Sequence, residues 1–197
     1  VHGALMHCDA AQSVGKVPVD VQELGVDMLT VVGHKMYAPK GVGALYVRSG
    51  VNLPRFMHGA SHEAGRRAGT ENVLEIVGLG QACEVAARRL PHDARRFEEL
   101  RERLFEALFR EVPGLRRNSP WERCLPNTLS VGFPGVDAGA LLAEIGERVA
   151  ASAGAACHAA GVEVSAVLQA MAVPVEYAMG TVRLSVGRGT TAAMVDE

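Results

Sequence analysis

Lys35 ends the triplet Gly33-His34-Lys35, which directly follows the apolar run at residues 27–32. A lysine at the buried end of a strand loses solvation, and the neutral amine this favours can form a Schiff base with an aldehyde-bearing cofactor. Taken singly, Lys35 is a surface lysine opening a loop, the commoner setting for this residue type. Asp9 changes the balance. It closes another apolar run, at residues 4–8, and in parallel α/β sheets ligands gather beyond the strand ends. A carboxylate there could hold the protonated nitrogen of a pyridine ring and keep the ring an electron sink. Gln12 comes one turn later, within reach of a ring hydroxyl. By themselves, the aspartate reads as a turn residue and the glutamine as an exposed side chain.

Cys157 lies in Ser152-Ala-Gly-Ala-Ala-Cys157-His158, where every residue from 150 to 156 is small. Such a stretch builds little core and is expected to form a movable loop. An exposed thiol there could approach a bound substrate, with His158 helping to form the thiolate. The competing assignment is a buried structural cysteine. Alternation along Thr181-Val-Arg-Leu-Ser-Val186 sets Val182, Leu184 and Val186 on one face, and Thr181, Arg183 and Ser185 on the other. The Arg183 fork suits a carboxylate; a solvent-facing arginine is the plain alternative. Thr70, in Arg67-Ala-Gly-Thr-Glu-Asn72, stands before a long helical pattern. There it suits a phosphate, or simply caps the helix.

Composition excludes several classes. The chain has 197 residues, 48% hydrophobic and 21% charged, with net charge −2. That describes an ordinary globular protein without a nucleic-acid surface. No run is apolar enough to span a membrane, and residues 1–8 lack a signal-peptide layout. Cys8, Cys83, Cys124 and Cys157 are widely spaced, which argues against a zinc site or a disulfide framework and for a reducing cytoplasm. His58 and His62 lack further ligands at useful spacing, so no metal is expected. The chain opens without Met, inside a strand pattern, and closes on a helix capped by Thr190 or Thr191; both ends read as cut.

Strands are expected at residues 4–8, 27–32, 43–48, 128–132, 148–151 and 181–186. Helices are expected at 19–24, from 72 to about 90, over the Phe97-Leu100-Leu104-Leu108 stripe, and at 138–146 and 165–171. Pro91 should break the long pattern or open a new helix, and Pro113-Gly114 should stop it. Strands alternating with helices give an α/β class, divided near Pro91 into residues 1–90 and 91–197.

Five stretches together resemble the NifS/IscS-type cysteine desulfurases, pyridoxal-phosphate enzymes of the class V aminotransferase group. They are His7-Cys-Asp-Ala-Ala-Gln-Ser13, Gly33-His-Lys-Met-Tyr37 with Pro39-Lys-Gly-Val-Gly-Ala-Leu-Tyr46, Arg67-Ala-Gly-Thr-Glu-Asn72, Ser152-Ala-Gly-Ala-Ala-Cys157 and Val182-Arg-Leu-Ser-Val-Gly-Arg188. They follow the family order over nearly the whole chain. The resemblance implies fold type I of the pyridoxal-phosphate-dependent transferases: residues 1–90 would be the C-terminal part of the cofactor-binding large domain, with its mostly parallel sheet, and residues 91–197 the smaller C-terminal domain. It implies that Lys35 carries pyridoxal 5'-phosphate and moves protons, Asp9 binds the ring nitrogen, Gln12 the ring oxygen and His34 the phosphate. Thr70 would reach the phosphate of the neighbouring subunit, so a homodimer is implied. Arg183 would bind the substrate carboxylate. Cys157 would take sulfur from L-cysteine, releasing alanine, and pass its persulfide to an acceptor such as an iron–sulfur scaffold protein.

Two departures stand out. Val32 occupies a position where many desulfurases place a phosphate-binding hydroxyl, and here, as around Ala155-Ala-Cys-His158, the chain is similar to the selenocysteine lyases. The family's first half, with its ring-stacking histidine, is absent, so the 197-residue piece is expected to bind cofactor poorly by itself. Selenocysteine lyase is therefore the enzymatic alternative. A non-catalytic scaffold subunit is the alternative of another class, and the retained Lys35, Asp9, Gln12, Cys157 and Arg183 argue against it.

Overall fold

Alternation in the second apolar run decides the first sheet. In the computed structural model, β1 (His7–Asp9), β2 (Met28–Val32) and β3 (Gly43–Val47) pair in the order β1-β2-β3. The structure describes residues 2–158 and 161–197, with the side chains of 155–158 and 161–163 left outside. β1 and β2 are parallel, with Cys8 opposite Leu29 and Asp9 opposite Thr30. β3 returns antiparallel, with Thr30 opposite Leu45 and Val32 opposite Gly43. Because successive side chains point to opposite faces, Cys8, Leu29 and Val31 join Ala10 and Val26 in one core cluster.

The chain divides into two compact units, Val1–Pro91 and His92–Glu197. In the first, residues 19–24 form a turn and not the expected helix. Asp20 Oδ1 accepts from the Gln22 amide at 2.7 Å, Leu24 N donates to Asp20 O, and Gly25 follows at φ +64°. A stretch this short, bracketed by Pro18 and Gly25, cannot repay helix nucleation. The first strand is also shorter than expected, beginning at His7 and not at residue 4.

The long helix α1 spans Val73–Glu111 and continues through Pro91, so the expected break is corrected. An interior proline costs about 3 kcal/mol. Burial on both sides of it offsets that cost: Leu79, Ala82 and Ala86 pack before Pro91, and Phe97 and Leu100 after it, at roughly 1.5–3 kcal/mol per large side chain. The residue that caps α1 is Asn72, whose Oδ1 accepts from the Glu75 amide and whose carbonyl accepts from Ile76; the capping role considered for Thr70 falls to it. Beyond Glu111 the chain turns at Gly114, with φ +77°.

The second unit carries β4 (Arg116–Arg117), β5 (Thr128–Gly132), β6 (Ser152–Ala153) and β9 (Thr181–Ser185), in the order β4-β5-β9-β6 and antiparallel throughout. A separate hairpin pairs β7 (Ala155–His158) with β8 (Gly161–Val164). Short helices α2 (Ala138–Ile145), α3 (Ala166–Ala170), α4 (Val175–Ala178) and α5 (Ala192–Asp196) complete it. Asp137, Ser165 and Thr191 cap α2, α3 and α5 through side-chain oxygens. Leu115, Leu129 and Val131 form its main core, against Leu104, Phe105 and Leu108. The strand expected at 148–151 lies further on, at Ser152–Ala153. The expected loop around Cys157 is a hairpin strand.

Candidate active site

Lys35 sits in the 3-10 turn Gly33–Met36, which leaves β2 without an intervening residue. Three features hold that turn. Gly33 lets the backbone come close to the next loop: a Cβ there would lie 2.6 Å from Val42 O, and Gly33 N donates to that oxygen at 3.0 Å. Met36, nearly fully buried, fixes the turn to the cluster of Leu79, Ala82 and Ala86. Tyr37 ends the turn in the left-handed region at φ 70°, and the amides of Tyr37 and Ala38 both donate to Gly33 O. Lys35 itself is half-buried and His34 is exposed. Among the described residues, no hydrogen bond or ion pair engages the Lys35 ammonium.

Asp9 ends β1 at the same, carboxyl-terminal end of the parallel pair. Its Oδ1 accepts from the Ala11 amide at 2.9 Å, which holds the carboxylate at the strand tip. On the same face, His7 Nε2 meets Thr30 Oγ1 at 2.9 Å. Gln12 is exposed, one turn on. From this turn the side chain of Lys16, only 5% exposed, reaches across and donates to the main-chain carbonyl of Lys35. Sequence reasoning passed over His7 and Lys16. The signal for Lys16 was a lysine between Val14 and Val17; for His7 there was none beyond its place in the motif.

Thr70 is exposed in the irregular segment before α1. That segment is knitted by Arg55, which donates to Gly65 O, Gly59 O and Ser61 Oγ. A hollow on this side of the unit, lined by Leu45, Phe56, Met57, Arg67, Glu71 and Leu79 among others, includes neither Asp9 nor Lys35.

In the second unit Arg183 is exposed on β9, between Ser130 of β5 and Ser152 of β6, and its Nη2 donates to Ser152 Oγ at 3.3 Å. Its strand neighbour Thr181 is not on an exposed face as alternation suggested. It is 1% exposed, accepts from Asn118 Nδ2 and donates to Tyr177 O. From Ser152 the chain passes through Gly154, whose amide donates to Thr181 O at 2.6 Å, directly into the hairpin bearing Cys157. The Cys157 backbone stands opposite Val162; its thiol, like the His158 imidazole, lies outside the described side chains.

Away from these residues, a buried ionic cluster braces the second unit. Arg101, 2% exposed, donates to Glu102, Glu98, Leu125 O and Cys124 Sγ. Arg117 grips Glu102 bidentately at 2.6 and 2.9 Å and lies over the Trp121 ring, 3.7 Å from its centroid. Burial works to raise the Glu102 carboxyl, but hydrogen bonds from Arg117 and Arg101, reinforced by their charges, hold it below the ordinary carboxylate value.

The donor set of the first unit matches the functional groups of pyridoxal phosphate: a carboxylate for a protonated ring nitrogen, an amide for a ring hydroxyl, a primary amine for an aldehyde and an imidazole for a phosphate. A parallel strand pair that presents an acid at one tip and a lysine-bearing turn at the next defines, with the antiparallel second sheet, the pyridoxal-phosphate-dependent transferase fold. The aminotransferase class-V family profile matches residues 1–197, and the chain belongs to that family. It is 42% identical over 195 residues to a cysteine desulfurase of Nostoc sp., covering 98% of this chain and 49% of that protein. Among solved structures, a NifS-like protein superposes with a TM-score of 0.87 at 36% identity, over 98% of this chain and 50% of that one. A structure described as SspA in complex with cysteine superposes with a TM-score of 0.72, also at 36% identity, over 94% of this chain and 51% of that one. The chain thus spans about half the length of the relatives it matches.

Proposed function

We propose that this chain is part of a pyridoxal-phosphate-dependent cysteine desulfurase, which moves sulfur from L-cysteine to its own cysteine and releases L-alanine. The observation that carries the proposal is the pairing of β1 with β2. Asp9 and the turn bearing Lys35 leave from the same end of adjacent parallel strands, where a flat ring can be held by its two ends. The names of the similar proteins support the substrate: cysteine desulfurase for one, a complex with cysteine for another.

Bound at this site, the cofactor supplies an electron sink for the substrate carbons. Asp9, fixed by the Ala11 amide, would pair with the ring nitrogen. Gln12 would hold the ring oxygen. His34, and Thr70 from a second subunit, would hold phosphate oxygens. Lys35 would hold the aldehyde end and move protons at its Nζ. The Arg183 fork fixes the substrate carboxylate. The Cys157 thiolate attacks the substrate sulfur. A sulfur–sulfur bond forms and the substrate carbon–sulfur bond breaks. The electron pair stays with the carbon, which gains a proton and leaves as alanine, while Cys157 keeps the persulfide for an acceptor protein.

The test uses the full-length protein. The unaltered protein should be yellow, form alanine from L-cysteine and carry labelled sulfur on Cys157. Lys35→Ala should be colourless and inactive. A colourless, inactive unaltered protein supplied with cofactor would point to a scaffold subunit and end the proposal. Turnover of L-selenocysteine without turnover of L-cysteine would replace it with the lyase that Val32 suggests.

A further inference from the structure

We propose that Lys16 is a positioning residue for Lys35: its buried ammonium clamps the main chain of the lysine-bearing turn to the segment that carries Asp9 and Gln12. The inference rests on the assignment of Lys35 as the cofactor lysine.

Several observations converge on it. Lys16 is 5% exposed, an unusual place for a lysine. Its ammonium donates to Lys35 O. In the turn Gly33–Met36, the Gly33 carbonyl is already engaged by the Tyr37 and Ala38 amides. The Lys35 carbonyl falls at the end of the turn, where carbonyls have no partner inside it and a cation is favourable. The backbone just before Lys16 lies in van der Waals range of the turn and of α1. Gly15 takes φ +76°, and a Cβ there would meet Ala86 Cβ at 3.4 Å and Met36 Cβ at 3.8 Å. The segment therefore lies against the turn, and Val14 packs against both core clusters of the unit.

This segment starts at Asp9. Ala10 N closes the strand ladder on Thr30 O, and the amides of Ser13 and Val14 then donate to Ala10 O. Asp9, Gln12 and Lys16 thus ride on one short piece of chain, and Lys16 bonds that piece to the residue that must meet the other end of the ring. Loss of the clamp leaves the chemistry of Lys35 intact but loosens its placement relative to Asp9.

The experiment compares the full-length protein with Lys16→Met, which keeps the length of the side chain, and with Lys16→Gln, which keeps a donor. Hydrogen exchange is read first, without cofactor. The Tyr37 and Ala38 amides should exchange about tenfold faster in Lys16→Met, the scale of one hydrogen bond to a charged group, with Val131 in the second unit unchanged. Lys16→Gln should recover part of the protection, and it serves as the reporter if Lys16→Met fails to fold. Pyridoxal 5'-phosphate is then added and trapped by borohydride reduction, with the modified peptide identified by mass. Capture at Lys35 should slow about tenfold in Lys16→Met, and kcat should fall while KM for cysteine holds. Unchanged exchange at Tyr37 and Ala38 together with unchanged capture overturns the inference, as does faster exchange spread equally to Val131. No capture at Lys35 in the unaltered protein instead sinks the cofactor assignment, while the exchange data still decide whether Lys16 holds the turn.

Discussion

Asp9 stands opposite Thr30 in the parallel β1–β2 pair, and the next amide, Ala10 N, donates to Thr30 O at 3.1 Å. This register sets how far the acid extends beyond the sheet relative to the turn Gly33–Met36. A slip by one residue would turn Asp9 into the face that holds Cys8 and Leu29. The placement of the acid and the lysine is thus a property of strand pairing, and each neighbouring contact can be perturbed separately.

Gly33→Ala should disturb the lysine turn directly. The added Cβ would fall 2.6 Å from Val42 O, a backbone atom that cannot swing aside. We expect a loss of roughly 1–3 kcal/mol, measured by denaturant unfolding, with weaker cofactor retention. Unaltered stability and colour would show that the turn yields without cost.

Arg183→Lys keeps the charge and removes the fork. If Arg183 binds the substrate carboxylate, KM for cysteine should rise about 10–100-fold, the range for lost hydrogen bonds to a charged group, while kcat changes little. Steady-state alanine production measures both. A change confined to kcat would assign Arg183 another role.

Cys157→Ser should abolish transfer of labelled sulfur to the protein and leave the yellow colour in place. The serine hydroxyl is a far poorer nucleophile toward sulfur, and position 157 has no assigned part in holding the cofactor. Sulfur still appearing on the variant protein would move the nucleophile elsewhere.

Glu102→Gln tests the ionic cluster. Because the folded-state carboxyl lies below its ordinary value of 4.5, the group contributes stability above the unfolded value and loses it as pH falls through the folded one. Melting temperatures of the unaltered protein should therefore drop as pH is lowered past about 4.5. Glu102→Gln should be less stable at neutral pH by roughly 2 kcal/mol and should show a flatter acid limb. Equal slopes for the two proteins would mean that Arg101 and Arg117 find other partners.

Elements with a strong period were legible: residues 128–132 and 138–146 form β5 and α2 with ends near those expected, and Thr191 caps α5 as one of the two candidates. Failures came where the tertiary environment outweighed local preference. Pro91 did not stop α1, because apolar side chains on both sides of it are buried. Thr181 went inward despite its polarity, because Tyr177 O and Asn118 complete its hydrogen bonds. Thr70 looked like a cap and Asn72 took the role. The small residues around Cys157 read as a loop, yet their backbone pairs as a hairpin, since partner choice across a turn leaves no mark in composition.

The residue types at 9, 12, 34, 35, 157 and 183 and their order along the chain were set by the sequence alone, because chemistry depends on functional groups and motif order is written linearly. The parallel register that puts Asp9 and the Lys35 turn at one strand end, the burial of Lys16 beneath that turn and the contact of Arg183 with Ser152 were decided only by the tertiary structure. Each depends on which distant backbone groups find one another, and that is settled by packing across the core rather than by neighbours in the chain.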